Sequence, residues 1–575
     1  MKSEHISFTK ALFFGDVLED MVYPYPEINP QEKESLQLLF ESIHKFAEEH
    51  VDSHKIDKEA KIPQTTIDKM KELGLFGLII PEKYGGFGFS QTAYEQTLEK
   101  VAAYDASIAL TAGAHSSIGI KGLLFFGTEE QKKKYLPKLA TGEMIGAFAL
   151  TEPTAGSDAA SIKTRAELTP DGKHYILNGT KIWITNANHA SFFTVFAQTK
   201  CEDGKDRIST FIVTRDMEGF STGREEEKLG IKGTSTASVN FNNCKVPREN
   251  LLMEEGKGFK IAMSVLNSGR GGLAAGILGA QKKLIKLCTQ YALERKQFGK
   301  SISEYGLIQK KIAQMMREAY ATESLTYLTS GLIDQGVTDY SLESAISKVF
   351  ASEALWRTVN EALQICAGNG YMKEYPYEQI LRDSRINMIF EGTNEILRIF
   401  IALSGMKDPA DRLKEVSQAM KEPIKSIGLI SEFAVRKVKK SLSIDRFSKI
   451  HPIFKNMTTH LEEYIHDLAQ KAESVLARHG KNVVDKQFAL ERISEISIEI
   501  YMMIATLMRA TSNIEKCGIE KAKPHILITK AICKRSLRRI KMNLKRADHN
   551  DDEEIKEIAR YAYEKQGYDL DVLPA

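Results

Sequence analysis

"FALTEPTAGSDAASI", residues 148–162, lies where the chain changes texture. Before it the pattern is helical. "PQEKESLQLLFESIHKFAEEH" repeats apolar residues at helical spacing behind a proline, and "TTIDKMKELGLFGLIIP" does the same before stopping at Gly and Pro. After it come "HYILNGTKIWITNA", "SFFTVFAQT", "STFIVTRD" and "ASVNFNNCKV". These are short, rich in β-branched and aromatic residues and parted by Gly, Asn and Asp, as antiparallel strands and turns are. Long helical patterns then return with "LGAQKKLIKLCTQYALERK", "IQKKIAQMMREAYATESLTYLTSGLI" and "LESAISKVFASEALWRTVNEALQICAG", the texture of a four-helix bundle. The expected fold is α+β and multidomain: an N-terminal helical domain over 1–147, a central antiparallel β-barrel or sandwich over 148–256, a four-helix bundle over 257–405 and an extra C-terminal helical domain over 406–575.

At 575 residues the chain is too long for one ordinary core. Hydrophobic residues make up 42% and charged residues 27%, an ordinary globular balance, and a net charge of +3 is too small a bias to argue for nucleic acid. The six cysteines are scattered with no C-x-x-C pair, so neither a disulfide framework nor a zinc site is expected and a reducing compartment fits. No apolar run is expected to span a bilayer. The N-terminus carries early acids and no clean signal pattern, which reads as a cytoplasmic protein or a form already stripped of its signal.

Three stretches carry candidate chemistry. In 148–162, Thr151, Thr154, Ser157 and several amides converge in a Gly-containing turn that can donate to phosphates or to an acceptor-rich planar edge; read locally, it is a polar turn. In "KIWITNA", 181–187, Trp183 is one of two tryptophans, and a strand tryptophan alone reads as core. In "FEGTNEIL", 390–397, Glu391 interrupts the apolar run "INMIFEGTNEILRIFIAL"; read locally, it is an N-cap or first-turn acid favouring the dipole of the following helix. There is no G-x-G-x-x-G after a strand, no G-x-x-x-x-G-K-[ST], no H-E-x-x-H and no G-x-S-x-G, so a Rossmann dinucleotide, a P-loop nucleotide, a metal and a serine nucleophile are not expected.

Together with "ERKQFGKSI", 294–302, and "QICAGNGYMKEYP", 364–376, these stretches resemble the acyl-CoA dehydrogenase family, five motifs in the family's order. "VYPYP" near residue 22, "GAHSSIGIKGLLFFGT" at 113–128 and the long tail extend the resemblance over the whole chain and make it similar to the very-long-chain branch. The resemblance implies FAD as cofactor. It implies that Phe148, Leu150, Thr151, Gly156 and Ser157 hold the flavin, with Trp183, Ile184 and Thr185 against the ring. Arg295, Gln297 and Phe298 would reach the pyrophosphate and adenine side, Gln364 and Gly368 would come across a dimer interface, and Thr393 and Glu395 would complete the flavin side. Ser157, Arg270, Phe390 and Gly392 would meet the acyl-CoA, and Glu391 would be the base that takes the α-proton. Some branches carry that base just before the arginine of "LNSGRGGLAAG"; here the position is Gly269, which leaves Glu391 without a competitor and Arg270 free to order the loop.

The implied reaction is α,β-dehydrogenation of a long- or very-long-chain acyl-CoA to the trans-2-enoyl-CoA in fatty-acid β-oxidation, with electrons passed to an electron-transfer flavoprotein. Small residues at Ala112, Gly113, Ala114, Ser116, Ser117 and Gly119 would deepen the acyl cavity, or else serve close helix packing. Over 411–445, apolar residues on one helical face and Lys425, Arg436, Lys437, Lys439 and Lys440 around it suit peripheral contact with an anionic membrane, on the cytoplasmic face or on the matrix side in a processed mitochondrial form; an ordinary surface helix fits as well. The basic run 533–546 reads as a solvated face. A homodimer is expected. Two departures from the family pattern, Ala367 for the usual first glycine after Gln364 and "NANHA" at 186–190, bear on loops near the cofactor. Two other classes remain open: an acyl-CoA oxidase, which would make peroxide in air without an added acceptor, and a non-catalytic assembly protein, which would not be yellow.

Overall fold

The computed structural model describes residues 7–419 and 445–572. Most of the basic segment 411–445 therefore lies outside the described residues. The chain divides into two compact units, one built on Asp20–Leu397 with Met508–Ile528, the other on Phe8–Glu19, Arg398–Leu507 and the chain from Thr529 on.

The first unit opens with helices Pro30–His50, Gln64–Glu72, Gln91–Ala102, Ala106–Ala114, Lys121–Phe126 and Glu129–Ala140. Their starts are set by polar caps: Ser90 accepts from the Ala93 N–H, Asp105 from Ile108, and Thr128 and Gln131 form a reciprocal capping box. Their apolar faces meet in a core of Ile43, Phe46, Met70, Leu75, Phe76, Tyr94, Leu98 and Ile108. Residues Ala106–Phe126 are long and apolar enough to cross a bilayer, at mean hydropathy 1.2, so the expectation that no run is long enough is corrected; 78% of that window is buried inside the protein, which is where a core helix puts its apolar surface.

Eight strands follow: β1 (Gly146–Ala149), β2 (Arg165–Leu168), β3 (His174–Thr185), β4 (Phe192–Lys200), β5 (Asp206–Thr214), β6 (Phe220–Glu225), β7 (Thr236–Pro247) and β8 (Leu251–Leu252). The pairing path is β6-β7-β3-β2-β4-β5-β8, with β1 added on β4. Two features differ from the expected antiparallel barrel. β1 and β2 pair parallel to β4, and among the described residues the path is open, with β6 and β8 as its ends. Such pairings join segments far apart in sequence, and local alternation does not encode them. β4 reads "FFTVFAQTK" because it serves two cores. Phe192 and Phe196 pack with Ile120, Leu136, Ile212 and Val265 on one face, while Phe193 and Val195 pack with Tyr175, Phe211, Val239 and Phe241 on the other.

Helices Gly258–Glu294, Gly306–Asp334 and Ser341–Cys366 then pack around Ala274, Ile277, Leu284, Met315, Leu355 and Val359, and a fourth, Asn394–Ala419, begins in this unit. Tyr25, beside a half-buried Arg509–Glu323 ion pair, donates to the Ser324 carbonyl at 3.0 Å.

In the second unit the buried residues include Phe8, Leu12, Leu461, Ile465, Ile493, Ile496, Ile532 and Ile540. Glu495 pairs with both Arg398 (2.7 Å) and Arg539 (3.1 Å). In the basic run 533–546, Lys534, Arg538, Lys541, Lys545 and Arg546 are exposed while Cys533, Ser536 and Ile540 are buried, which is a solvated face on a core helix. All six cysteines are free.

Candidate active site

The "FEGTNEIL" loop joins the one-turn helix Ile386–Met388 to helix Asn394–Ala419. Its turn is made by two successive left-handed residues, Glu391 at φ 58° and Gly392 at φ 93°. Glycine adopts that region freely, but a glutamate does so at a cost, which marks the position as one held by its surroundings. The cap of the following helix is Thr393, whose Oγ1 accepts from the Ile396 N–H at 3.3 Å and whose carbonyl accepts from Leu397. Glu391 is therefore not the cap that its local sequence allows.

Its carboxylate is instead turned inward. Oε2 is out of reach of solvent and has no hydrogen-bond partner among the described residues. Burial pushes the carboxyl above its ordinary range, while the nearby charges of Arg270 and Lys348 pull the other way. A Cβ on Gly269 would lie 3.5 Å from this Oε2 and 2.9 Å from Ile118, so position 269 faces the same spot as the Glu391 carboxylate, and Glu391 and Ile118 fill it. Arg270 is buried and donates through Nε to the Glu391 carbonyl (3.3 Å) and through Nη1 to Asn267 (2.7 Å), and its pKa is lowered by burial to about 10. The Glu391 N–H donates to no protein acceptor among the described residues.

Lys348 is a site residue that sequence reasoning missed. It is fully buried, and its Nζ donates to the Gly392 carbonyl and to Asn394 Oδ1, both at 2.8 Å. Burial lowers its pKa to about 7. Lys348→Met leaves the Gly392 carbonyl without its donor. The expected outcome is a loss of about 1–3 kcal/mol in unfolding free energy together with a lower kcat, read by denaturant titration and steady-state rates.

The "TEPTAGSD" and "KIWIT" stretches are tied by a second buried pair. Lys181, fully buried, meets Glu152 Oε1 at 2.7 Å and the Leu150 carbonyl at 3.1 Å. Glu152 also accepts from the Thr164 N–H at 2.9 Å and from Lys163. The Ile182 N–H donates to the Thr151 carbonyl at 3.0 Å, so the "TEPTAGSD" loop and the "KIWIT" strand are one assembly. Trp183 stands out from it at φ 57° with 64% of its surface exposed. Gly156 and Ser157 are exposed, and the N–H groups of Thr154, Gly156, Ser157 and Asp158 donate to no protein acceptor among the described residues. A row of unspent amides beside an exposed aromatic face fits a planar, acceptor-rich ring such as a flavin.

The other predicted residues divide by burial. Phe148, Leu150 and Ile184 send their side chains into the core, Phe148 against Phe196, so only their backbone is left to face a cofactor. Arg295, Gln297 and Phe298 lie on an exposed hairpin, with Phe298 95% exposed at φ 51°. Gln364 and Gly368 are exposed beside Ala367, which holds φ 49° where glycine would be at ease. Glu395 is exposed.

Glu391, Phe390, Thr185 and Gly269 close one end of a cavity of about 320 Å³. It is walled by two helix faces, Ala106, Ala109, Gly113 and Ser117 on one and Gly269, Gly272, Gly276 and Ala280 on the other, with Leu98, Leu355 and Ile380 between. These spacings of three and four residues put small side chains in a continuous row. From Gly269 to Lys283, the last wall residue of helix Gly258–Glu294, is 14 residues, about 21 Å of helix. At roughly 1.2 Å per bond that is the length of about 17 bonds of extended chain.

Family models for the N-terminal, middle and C-terminal domains of acyl-CoA dehydrogenases match residues 33–143, 147–244 and 256–406, and the model described as "ACAD9/ACADV, C-terminal domain" matches 452–568. The very long-chain specific acyl-CoA dehydrogenase, mitochondrial, of Macaca fascicularis is 43% identical over 90% of this chain and 80% of its own. A crystal structure of an acyl-CoA dehydrogenase complexed with FAD from Bacillus anthracis superposes with a TM-score of 0.78 at 33% identity, covering 93% of this chain and 91% of that one. Butyryl-CoA dehydrogenase from Megasphaera elsdenii, at TM-score 0.62 and 36% identity, is covered to 99% by only 66% of this chain. This chain belongs to the acyl-CoA dehydrogenase family.

Proposed function

We infer that the protein is an FAD-dependent acyl-CoA dehydrogenase that converts long- and very-long-chain acyl-CoA to trans-2-enoyl-CoA in fatty-acid β-oxidation. The observation that carries the reading is an unpartnered, buried carboxylate oxygen at the head of a long, largely apolar cavity. FAD, when bound, supplies the acceptor for the hydride leaving the β-carbon. The residues supply the rest. Glu391 takes the α-proton, and its burial makes it basic enough for that task. Its own N–H is free to donate to the thioester carbonyl, where negative charge develops as the proton leaves. Arg270 and Lys348 hold the carbonyls of Glu391 and Gly392, which fixes the direction of that N–H and of the carboxylate. The walls exclude water from both. Loss of the yellow flavin absorbance on anaerobic mixing with palmitoyl-CoA tests the reading, and an unchanged spectrum would reject it.

Ser157, Trp183 and Thr185 are the proposed contacts of the flavin ring. The backbone of Phe148, Leu150, Thr151, Gly156 and Ile184 would face it, with Thr393 and Glu395 on the flavin side. Arg295, Gln297, Phe298, Gln364 and Gly368 are proposed for the distal half of FAD, the last two across a homodimer face. Exposed Phe298 and Tyr371 support such a face. Ser157, Arg270, Phe390 and Gly392 are the proposed acyl-CoA contacts. The domain division at 147, 256 and 405, an electron-transfer flavoprotein as acceptor and membrane contact through 411–445 belong to the same proposal. The membrane contact is supported by the charge pattern of the sequence.

The cavity itself gives a chain-length prediction. A Cβ on Gly276 would meet only Ala102 Cβ, at 3.6 Å, so the position accepts a side chain, which then projects into the cavity. It lies seven residues, about 10 Å, past Gly269. Gly276→Leu should lower kcat/KM for palmitoyl-CoA by about tenfold or more and leave octanoyl-CoA little changed, because only the longer chain passes that level.

A further inference from the structure

The far end of the acyl cavity is not apolar. Ser53, His54, Tyr104, Asp105, Lys283 and Asp383 gather there, whereas the helix faces that lead to it, over 106–114 and 269–280, contribute only alanine, glycine, leucine and isoleucine. A cavity meant only for a methyl terminus has no use for a lysine. The contacts of Lys283 are few. Its Nζ donates to the Tyr104 carbonyl at 3.2 Å, and among the described residues no carboxylate is paired with it.

The two nearby acids are engaged elsewhere. Asp105 accepts from Ser53 Oγ at 2.6 Å and from the Ile108 N–H at 2.9 Å, and Asp383 accepts from the Ile231 N–H. Burial pushes both carboxyls up, Asp383 to about 7, which weakens them as counter-charges, and burial pushes Lys283 down. Lys373 and Glu374, both exposed, also line this end, as does exposed His54, so it retains access to water. A carboxylate arriving there is only partly stripped of solvent and finds a cation with donors to spare.

Resting on the acyl-CoA dehydrogenase reading above, we propose that Lys283 forms a subsite for the ω-carboxylate of α,ω-dicarboxylic acids bound as their mono-CoA thioesters. The length follows from the helix. Lysine side chains lean toward the helix N-terminus, so Nζ lies about 15–20 Å from the level of Glu391. That matches chains of about 14–18 carbons. A twelve-carbon diacid would instead end near Gly276 and Ile277, where the two helix faces present only glycine, alanine, leucine and isoleucine to its carboxylate.

The test compares diacid with monoacid at each length in the holoenzyme. For sixteen carbons, the kcat/KM of hexadecanedioyl-CoA should equal or exceed that of palmitoyl-CoA. For twelve carbons, dodecanedioyl-CoA should fall below lauroyl-CoA by about tenfold or more. Lys283→Met should lower the sixteen-carbon diacid/monoacid ratio by about tenfold or more. An equal diacid penalty at both lengths, or a ratio unchanged in Lys283→Met, overturns the proposal. The length comparison decides the matter in the wild-type protein even where the variant does not fold. Failure with palmitoyl-CoA itself would instead sink the dehydrogenase reading. Palmitoyl-CoA turnover without the length-dependent ratio would sink the ω-carboxylate subsite alone.

Discussion

Glu391→Gln should leave the protein folded and yellow and lower kcat with palmitoyl-CoA by about 10³–10⁴-fold, the scale of a lost general base. The substitution keeps the size and shape of the side chain. It also keeps the backbone N–H proposed to meet the thioester and the carbonyl held by Arg270. What it removes is the one atom with no other task, the unpartnered Oε2. With no second carboxylate at position 269, nothing else near this spot can take the proton. A fall in kcat with little change in KM would separate loss of the base from loss of binding.

The second large effect is on stability. Lys181→Met should cost about 3–5 kcal/mol, because it leaves the Glu152 carboxylate buried without its counter-charge. Against the cost of burial, the bond from Lys181 and the backbone N–H donors hold Glu152 below the usual carboxylate range, so the anion does not simply become neutral at pH 7 when wild-type. The same change frees the Leu150 carbonyl and loosens the loop whose unspent amides are proposed to hold the flavin, so FAD retention should fall as well. The double variant Lys181→Met/Glu152→Gln removes both charges and keeps an acceptor for the Thr164 N–H, and should recover part of the loss. Urea unfolding and flavin content after gel filtration measure the two effects. A double variant no more stable than the single would show that the charge pair is not the cause.

Much of this was legible in the sequence. The change from helical to strand spacing at 148 and back near 257 located the sheet, and five short motifs together identified the family where each alone read as a turn, a core tryptophan or a helix cap. The residues that escaped did so for definite reasons. Alternation along β3 says that Ile184 and Trp183 face opposite ways but not which of them faces the core, and Phe148 and Leu150 turn inward for the same reason. Lys348, Lys181 and Lys283 carry no local signal of their burial, because it is set by segments that pack on them from 29 to 179 residues away. The hydropathy of Ala106–Phe126 cannot tell a bilayer from a protein core. Strained backbone was also invisible. Trp183, Asn186, Phe298, Ala367 and Glu391 are five of ten non-glycine residues at positive φ among those described, and all five lie in the motifs.

The account turns on a buried carboxyl whose proton affinity is raised by desolvation. Its folded pKa lies above the unfolded value, so the folded state holds a proton that the unfolded chain has lost. The stability this group contributes is present at low pH and is lost as pH rises through the folded pKa, while its power as a base appears over the same range. The measurement that tests this most directly is the single-turnover rate of flavin bleaching by palmitoyl-CoA, followed anaerobically across pH in the wild-type protein and in Glu391→Gln. The wild-type rate should rise with pH through a value above the ordinary glutamate range, and the variant should be slower by about 10³-fold or more with no such rise. A variant that bleaches within about tenfold of wild type, on the same pH profile, would contradict the assignment of Glu391 as the base.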